Sequence, residues 1–411
     1  MALKYLYVPS GYKAGTAYGV LPNVANADLD FVRGSAGTRI NADGLIESMV
    51  TNVPRLDYTD GSCPTLLTEP ERINLAQYSE QIDSWGKNPN DGTVTVRANE
   101  EISPDGEDTA DVVSVLTQFD GVFTQGITTV AESTYSCSAY VRHVAGSSKI
   151  RVGITENFHS STGSKYIVVD LSNGSIILDE VSSFATAKVI NAGNGWYRVI
   201  IENITVPVGV GGNSNFVIYS YENTFTEFAV WGGQIEVGNY ASSYIPNLSS
   251  GTTTRVADTG VISGDLSSYI NSSEGVLEIK AKSIVSNPAQ DLRITLSDGT
   301  ADNRISLVWG TGASTMTIVM DADGSDVFDG GTSGFKNLTG SFTKTNMNTF
   351  KIKWKSGDIQ VKHNDSTIVL SETDTFTMLG LDRLSFDNAT GIRNFEGNVQ
   401  YIKVYDSETD F

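Results

Sequence analysis

The chain is poor in the residues from which active sites are usually built. Its 411 residues include three histidines, His143, His159 and His363, scattered and without partners at metal-ligand spacing. A Gly-x-Ser-x-Gly nucleophile elbow is missing, as are a phosphate-cradling glycine loop and a metalloprotease helix motif. Paired carboxylates for glycoside hydrolysis stay open, because that pairing is spatial and acidic residues are plentiful. No pair stands out, so no catalytic residue is assigned and a non-enzymatic protein is expected.

Cysteine is as scarce. Cys63 and Cys137 lie 74 positions apart with no CxxC pair or Cys/His cluster, which argues against a zinc site and a disulfide scaffold. Both are expected reduced and buried, with a single bridge between them left open. Basic residues are outnumbered, 28 Lys and Arg against 48 Asp and Glu, for a net charge of −20. Such a field repels phosphates and anionic bilayers, so neither nucleic acid nor membrane insertion is expected. No apolar run approaches the roughly 18 residues that span a bilayer. The start, Met1 to Pro9, lacks the apolar core and cleavage site of a signal peptide, so synthesis in a cytoplasm is expected.

What the chain has is strand texture. Forty glycines, with many Ser, Thr, Asn and Asp, separate short apolar runs, and no helical period outlasts about two turns. The length calls for two or three domains. Lys165–Leu171, the turn Ser172–Ser175 and Ile176–Leu178 predict a hairpin. Ser136–Val141, Gly195–Ile201, Asn215–Tyr219 and Glu227–Val237 predict further strands, as do Gly275–Lys282, Leu292–Leu296 and Arg304–Trp309. Phe350–Lys355 alternates apolar with lysine and faces Ile359–Lys362 across Ser356–Asp358. The fold class is therefore all-β: an extended N-terminal arm, residues 1–75, followed by two antiparallel β-sandwich (jelly-roll) domains. Their expected bounds are 76–250 and 262–411, with a linker at 251–261 rich in Thr and Gly. The arm has too few large apolar side chains to offset its ordering entropy alone, so it should be unfolded in isolation.

Residues 39–47 (Arg-Ile-Asn-Ala-Asp-Gly-Leu-Ile-Glu) and 51–74 are the most distinctive stretches. The second contains Pro54-Arg55-Leu56-Asp57-Tyr58 and Cys63 through Glu69-Pro70-Glu71-Arg72 to Asn74. Its prolines favour an extended path, and neighbouring opposite charges suit ion pairing. This wording resembles a segment of virion surface proteins of tailed bacteriophages. The order Gly-Trp-Tyr-Arg (195–198), Trp-Gly-x-Gln-x-Glu (231–236) and Ala-Ser-Ser-Tyr-Ile-Pro (241–246) resembles carbohydrate-binding jelly rolls. Residues 381–387 and 395–406 resemble the close of a concanavalin-A-like or laminin-G-like sandwich.

These resemblances imply a structural virion component: a surface fibre, spike or capsid-decoration protein. Its partners would be copies of itself, as a homotrimer, other virion proteins and host-surface glycans. Arg39, Asn41, Asp43, Pro54, Arg55, Asp57, Tyr58, Glu69 and Arg72 would then form the attachment and inter-subunit segment. A dedicated glycan-binding adhesin on the tail is the alternative. A polysaccharide depolymerase is disfavoured, since no β-helix repeat runs through the chain. Trp196 and Trp231 read first as core residues and second as sugar-stacking ones. Asp321, Asp323 and Asp326 flank Gly324 in a way that suits part of a calcium loop, and an Asp-Gly hairpin turn equally well. No other cofactor is expected.

Overall fold

The computed structural model describes residues 2–90, 92–262, 264–328, 334–365, 367–407 and 411, and they form two compact all-β units. One comprises 1–36, 49–70 and 256–411; the other comprises 37–48 and 71–255. Each is built on antiparallel sheets with a continuous apolar core, which makes both β-sandwiches of the jelly-roll class.

In the first unit, an eight-stranded sheet is ordered Thr367–Glu372, Ile359–His363, Asn348–Lys355, Glu274–Ser283, Gly397–Tyr405, Thr65–Thr68 and Arg55–Asp57. Leu3–Tyr7 also pairs with Gly397–Tyr405, beyond the stretch taken by Thr65–Thr68. A ten-stranded sheet includes Leu29–Val32, Thr259–Val261, Leu292–Ser297, Arg304–Trp309 and Met316–Ala322. Phe350, Ile352 and Trp354 are buried and Lys351 and Lys355 pair with Asp365 and Glu274, as the alternation of this strand predicts, whereas Lys353, expected outward with them, is buried and paired with Asp358.

The second unit has two six-stranded sheets. One runs Thr95–Glu101, Ala110–Val115, Thr226–Val237, Thr134–Gly146, Trp196–Thr205 and Thr186–Asn191. The other runs Gly86–Asn88, Gly121–Phe123, Phe216–Ser220, Lys149–Ile154, Lys165–Asp170 and Ser175–Asp179. Cys137, Val141, Ile150, Val152, Ile218 and Phe228 are part of the core between them.

The N-terminal segment differs from the arm expected over residues 1–75. Its strands are shared out between the two units, and each completes a sheet or a hairpin there. Backbone donors that an isolated arm would leave to water find ladder partners instead. Local composition could not reveal this, because the partner strands, 259–261 and 397–405, lie hundreds of residues downstream.

Candidate functional site

The residues expected to mediate attachment divide into two sets. Asn41 closes a hairpin: its Oδ1 accepts from the amides of Asp43 and Leu45, each at 3.0 Å, and Asp43 is exposed at the turn. Arg39 donates to Glu47 across that hairpin at 2.8 Å. The second set is internal. Arg55 is fully buried between Glu69 (2.6 Å) and Asp258, and Arg33, also fully buried, donates to Asp258 at 3.2 Å. Burial lowers the Arg55 pKa, and the Asp258 and Glu69 carboxylates more than offset this and hold it above its usual range. Pro54 and Asp57 are buried as well. An inter-subunit role for Arg55 and Glu69 is therefore corrected, since desolvated charges must be paired and these are paired within their own unit. It is corrected for Pro54 and Asp57 because both are buried in that unit, Asp57 accepting from the Thr59 amide. Tyr58 is half-buried, and Arg72 lies over the Tyr240 ring at 4.8 Å.

Trp196 and Trp231 are each 1% exposed. Their indole N–H groups donate to the Ile102 carbonyl and to Thr109 Oγ1, and the rings pack with Tyr140, Tyr244 and Ile46. Neither offers a face to a sugar, so the stacking expectation is corrected. Ile46, Ile102 and Thr109 cover the sheet at the two indoles. Beside Trp231 and Tyr244 lies a cavity of about 290 Å³ lined in part by Glu47, Glu80, Asp105 and Glu107. Burial raises the Glu80 pKa, partly countered by the hydrogen bond from Tyr244, while nearby Asp105 raises it further.

Asp321 is ion-paired with Arg304 and stands opposite Asp326 in a hairpin turned by Asp323 and Gly324, at φ 49° and 71°. The Asp-Gly turn accounts for this spacing. Among the described residues no group of three His, Cys, Asp or Glu is placed to hold a metal ion.

A site that sequence reasoning missed lies on the outer face of the second unit's other sheet. Arg151 points outward between Phe119, 3.8 Å from its ring centroid, and Tyr221, at 4.6 Å. Tyr166 and Tyr219 extend the aromatic row, with centroids 6.0 Å from Phe119 to Tyr166 and 6.2 Å from Tyr166 to Tyr219. Neighbouring planes are tilted by 58° and 50°, so the rings line a trough and not a flat table.

Two strand glycines make this arrangement sterically feasible. Gly153 stands opposite Tyr166, and a Cβ there would lie 2.5 Å from Tyr166 Cδ1. Gly121 stands opposite Tyr219, and its Cβ would lie 2.8 Å from Tyr219 Cδ1. Each tyrosine therefore lies down over a bare stretch of backbone. Phe119 is held at φ 65°, a left-handed conformation costly for a bulky residue, by a bond from its amide to the Ser220 carbonyl.

Arg151 Nη1 donates to the carbonyls of Ser220 (2.8 Å) and Tyr221 (3.1 Å). Arg151 is largely buried, at 9% exposure, as is Tyr219 at 8%, so the guanidinium lies within the aromatic row and only its edge meets solvent. Burial lowers the Arg151 pKa from its usual value. Lys149 and Ser147, both bound to Glu222 at 2.8 Å, add polar groups on the same stretch of chain. A readable signal existed in the glycines placed inside strand patterns, Gly121 and Gly153, but their aromatic partners come from non-adjacent segments.

With two sheets packed over one core, each unit is a β-sandwich. No family model matches the chain, and no curated protein matches it. Among solved structures, one neighbour is the CBM22-1–GH10 modules of the Clostridium thermocellum N-terminal endo-1,4-β-D-xylanase 10B complexed with xylohexaose. It has a TM-score of 0.27 and 15% identity, over 43% of this chain and 30% of that one. The chain thus spans less than a third of that structure's length. Domains LG4–5 of the mouse laminin α1 chain align at TM-score 0.23 and 12% identity, over 70% and 86% of the two chains. The LG1–3 region of the laminin α2 chain aligns at 0.19 and 8%, over 98% and 96%. The sandwich architecture is established by the chain's own sheets.

Proposed function

We propose that this chain is a non-catalytic surface protein of a tailed-phage virion that holds host-surface glycans along the Arg151 trough. The observation that carries the glycan reading is the trough itself. Half-buried Phe119, Tyr166 and Tyr221 offer ring area to the C–H side of sugar rings, and the solvent edge of the Arg151 guanidinium donates to hydroxyls. The tilt suits a single twisted polysaccharide chain better than a flat crystalline surface. The virion reading is supported by the wording of residues 39–47 and 51–74, and copies of the chain and other virion proteins would be its partners.

A glycan array probed with the full chain, with Tyr166→Ala and with Phe119→Gly tests the first part. Binding by the wild type that both variants reduce at least tenfold is expected. Retained binding in both variants sinks the trough reading, and release of reducing sugar from bound glycans sinks the non-catalytic one. Antibody labelling of purified particles tests the second part; particles without label would remove the virion assignment.

A further inference from the structure

Arg151 is a largely buried cation without a counter-ion. Arg33, Arg55 and Arg293 are at least as buried, and each is paired with a carboxylate. Arg33 meets Asp258, Arg55 meets Glu69 and Asp258, and Arg293 meets Asp291. Among the described residues no carboxylate stands within ion-pair distance of Arg151, whose hydrogen bonds go from Nη1 to two backbone carbonyls. Those carbonyls and the flanking rings soften the cost of desolvation, but they carry no net charge and leave the cation uncompensated. A buried lysine can escape that cost by shedding its proton. Lys344, held by the carbonyls of Gly310 and Gly312, has its pKa lowered to about 8 by burial. A guanidinium stays charged throughout the physiological range, so this way out is closed to Arg151.

The acidic groups nearby do not supply the missing partner. Glu222 is taken by Lys149 and Ser147, each at 2.8 Å. Glu180 acts on Arg151 only through space, and its carboxylate accepts from the Tyr166 amide at 3.2 Å. We infer that the trough takes acidic glycans, with a sugar carboxylate such as that of a uronic acid seated on the solvent edge of the Arg151 guanidinium. The assignment rests on the proposed glycan reading and adds to it the charge of the ligand and the group that recognises it. A planar carboxylate accepts two parallel N–H donors from a guanidinium, which gives direction as well as charge neutralisation. Phe119 and Tyr221 flank that guanidinium, so a sugar ring stacked on either aromatic holds its carboxylate next to the charge. The net charge of −20 repels such a ligand at long range. Salt screens that field beyond about 8 Å at physiological ionic strength, and the contact itself lies within that distance.

An array carrying uronate oligosaccharides, sialylated glycans and sulfated glycans, each beside its carboxyl-reduced or desulfated form, tests this with the full chain. The glycans bound should be carboxylated, and reduction of the carboxylate to a hydroxymethyl group should weaken binding about tenfold or more, the worth of a charge-assisted hydrogen bond. Arg151→Gln, which keeps an N–H donor for the Ser220 carbonyl, should bind native and reduced forms alike. If that variant does not fold, wild-type preference for the carboxylated form, abolished together with binding by Tyr166→Ala, still decides. Equal wild-type binding of native and reduced glycans overturns the inference; if Tyr166→Ala weakens both, the trough reading survives. Binding confined to sulfated glycans overturns it as well, and so does a carboxylate preference that a folded Arg151→Gln retains. Binding that Tyr166→Ala leaves intact removes the trough reading, and the absence of any bound glycan removes both.

Discussion

Replacing Asp258 by Ala should be among the most damaging single changes in the first unit. Its carboxylate accepts from Arg33, from Arg55 and from the Glu69 amide at 2.9 Å. Removing it leaves two fully buried guanidinium groups with Glu69 as the one carboxylate of the original pair. Arg33 keeps four carbonyl acceptors, on Ser35, Met49, Val50 and Val53, which limits its share of the loss. Breaking a buried ion pair from one side typically costs about 3–5 kcal/mol. For a unit of this size each kcal/mol shifts melting by about 2–4 °C, so the transition should fall by about 6–20 °C. Scanning calorimetry of the full chain would read this, with the second unit's transition as internal reference. Exchanging Arg33, Arg55, Glu69 and Asp258 together for apolar residues of similar volume should recover most of the loss, because desolvation then disappears along with the attraction. A drop below about 1 kcal/mol for Asp258→Ala would show that the cluster is hydrated in solution, and the argument from burial would fail.

Other expectations are more local. Phe119→Gly should stay within about 1 kcal/mol of wild-type stability in urea titration, since relief of left-handed strain offsets the lost half-buried ring, even though glycan binding falls. A large stability loss would mean that the ring serves packing alone. His159 is buried beside Phe184, and burial lowers its pKa below the ordinary value, as it does for His363. The unfolded chain takes up those protons first, so stability should be full above about pH 6.5 and decline as pH falls through that value. His159→Leu should flatten that decline, and an unchanged slope in denaturant titrations at pH 7.5 and 5 would refute the assignment. Cys63 is exposed and Cys137 fully buried, in contrast to the burial expected of both, and burial raises the Cys137 thiol pKa. A thiol reagent should therefore titrate one group in the native chain and two in denaturant; two fast groups in the native chain would contradict this.

The sequence by itself determined the strand content, several hairpins and the absence of any conspicuous catalytic motif. Period-two alternation at Phe350–Lys355 and the turn at Ser172–Ser175 are local signals, and the structure realises both. It also placed the two sandwich cores in the middle and the C-terminal part of the chain. Only the tertiary structure decided where residues 1–75 go, because a strand's partner is set by complementary edges far away in sequence. The same reason explains Arg55 and Glu69. Their neighbours in sequence suggested local ion pairs, but Asp258, 203 positions on from Arg55, completes the cluster. Trp196 and Trp231 were legible as core or as sugar platform, and burial chose core once residues 37–48 and 102–109 covered their sheet. The Arg151 trough joins residues from four separate stretches, 119, 151, 166 and 219–221, and no periodicity could announce it. Sheet order alone brings those side chains to one face, and cross-strand glycines let the rings lie down there.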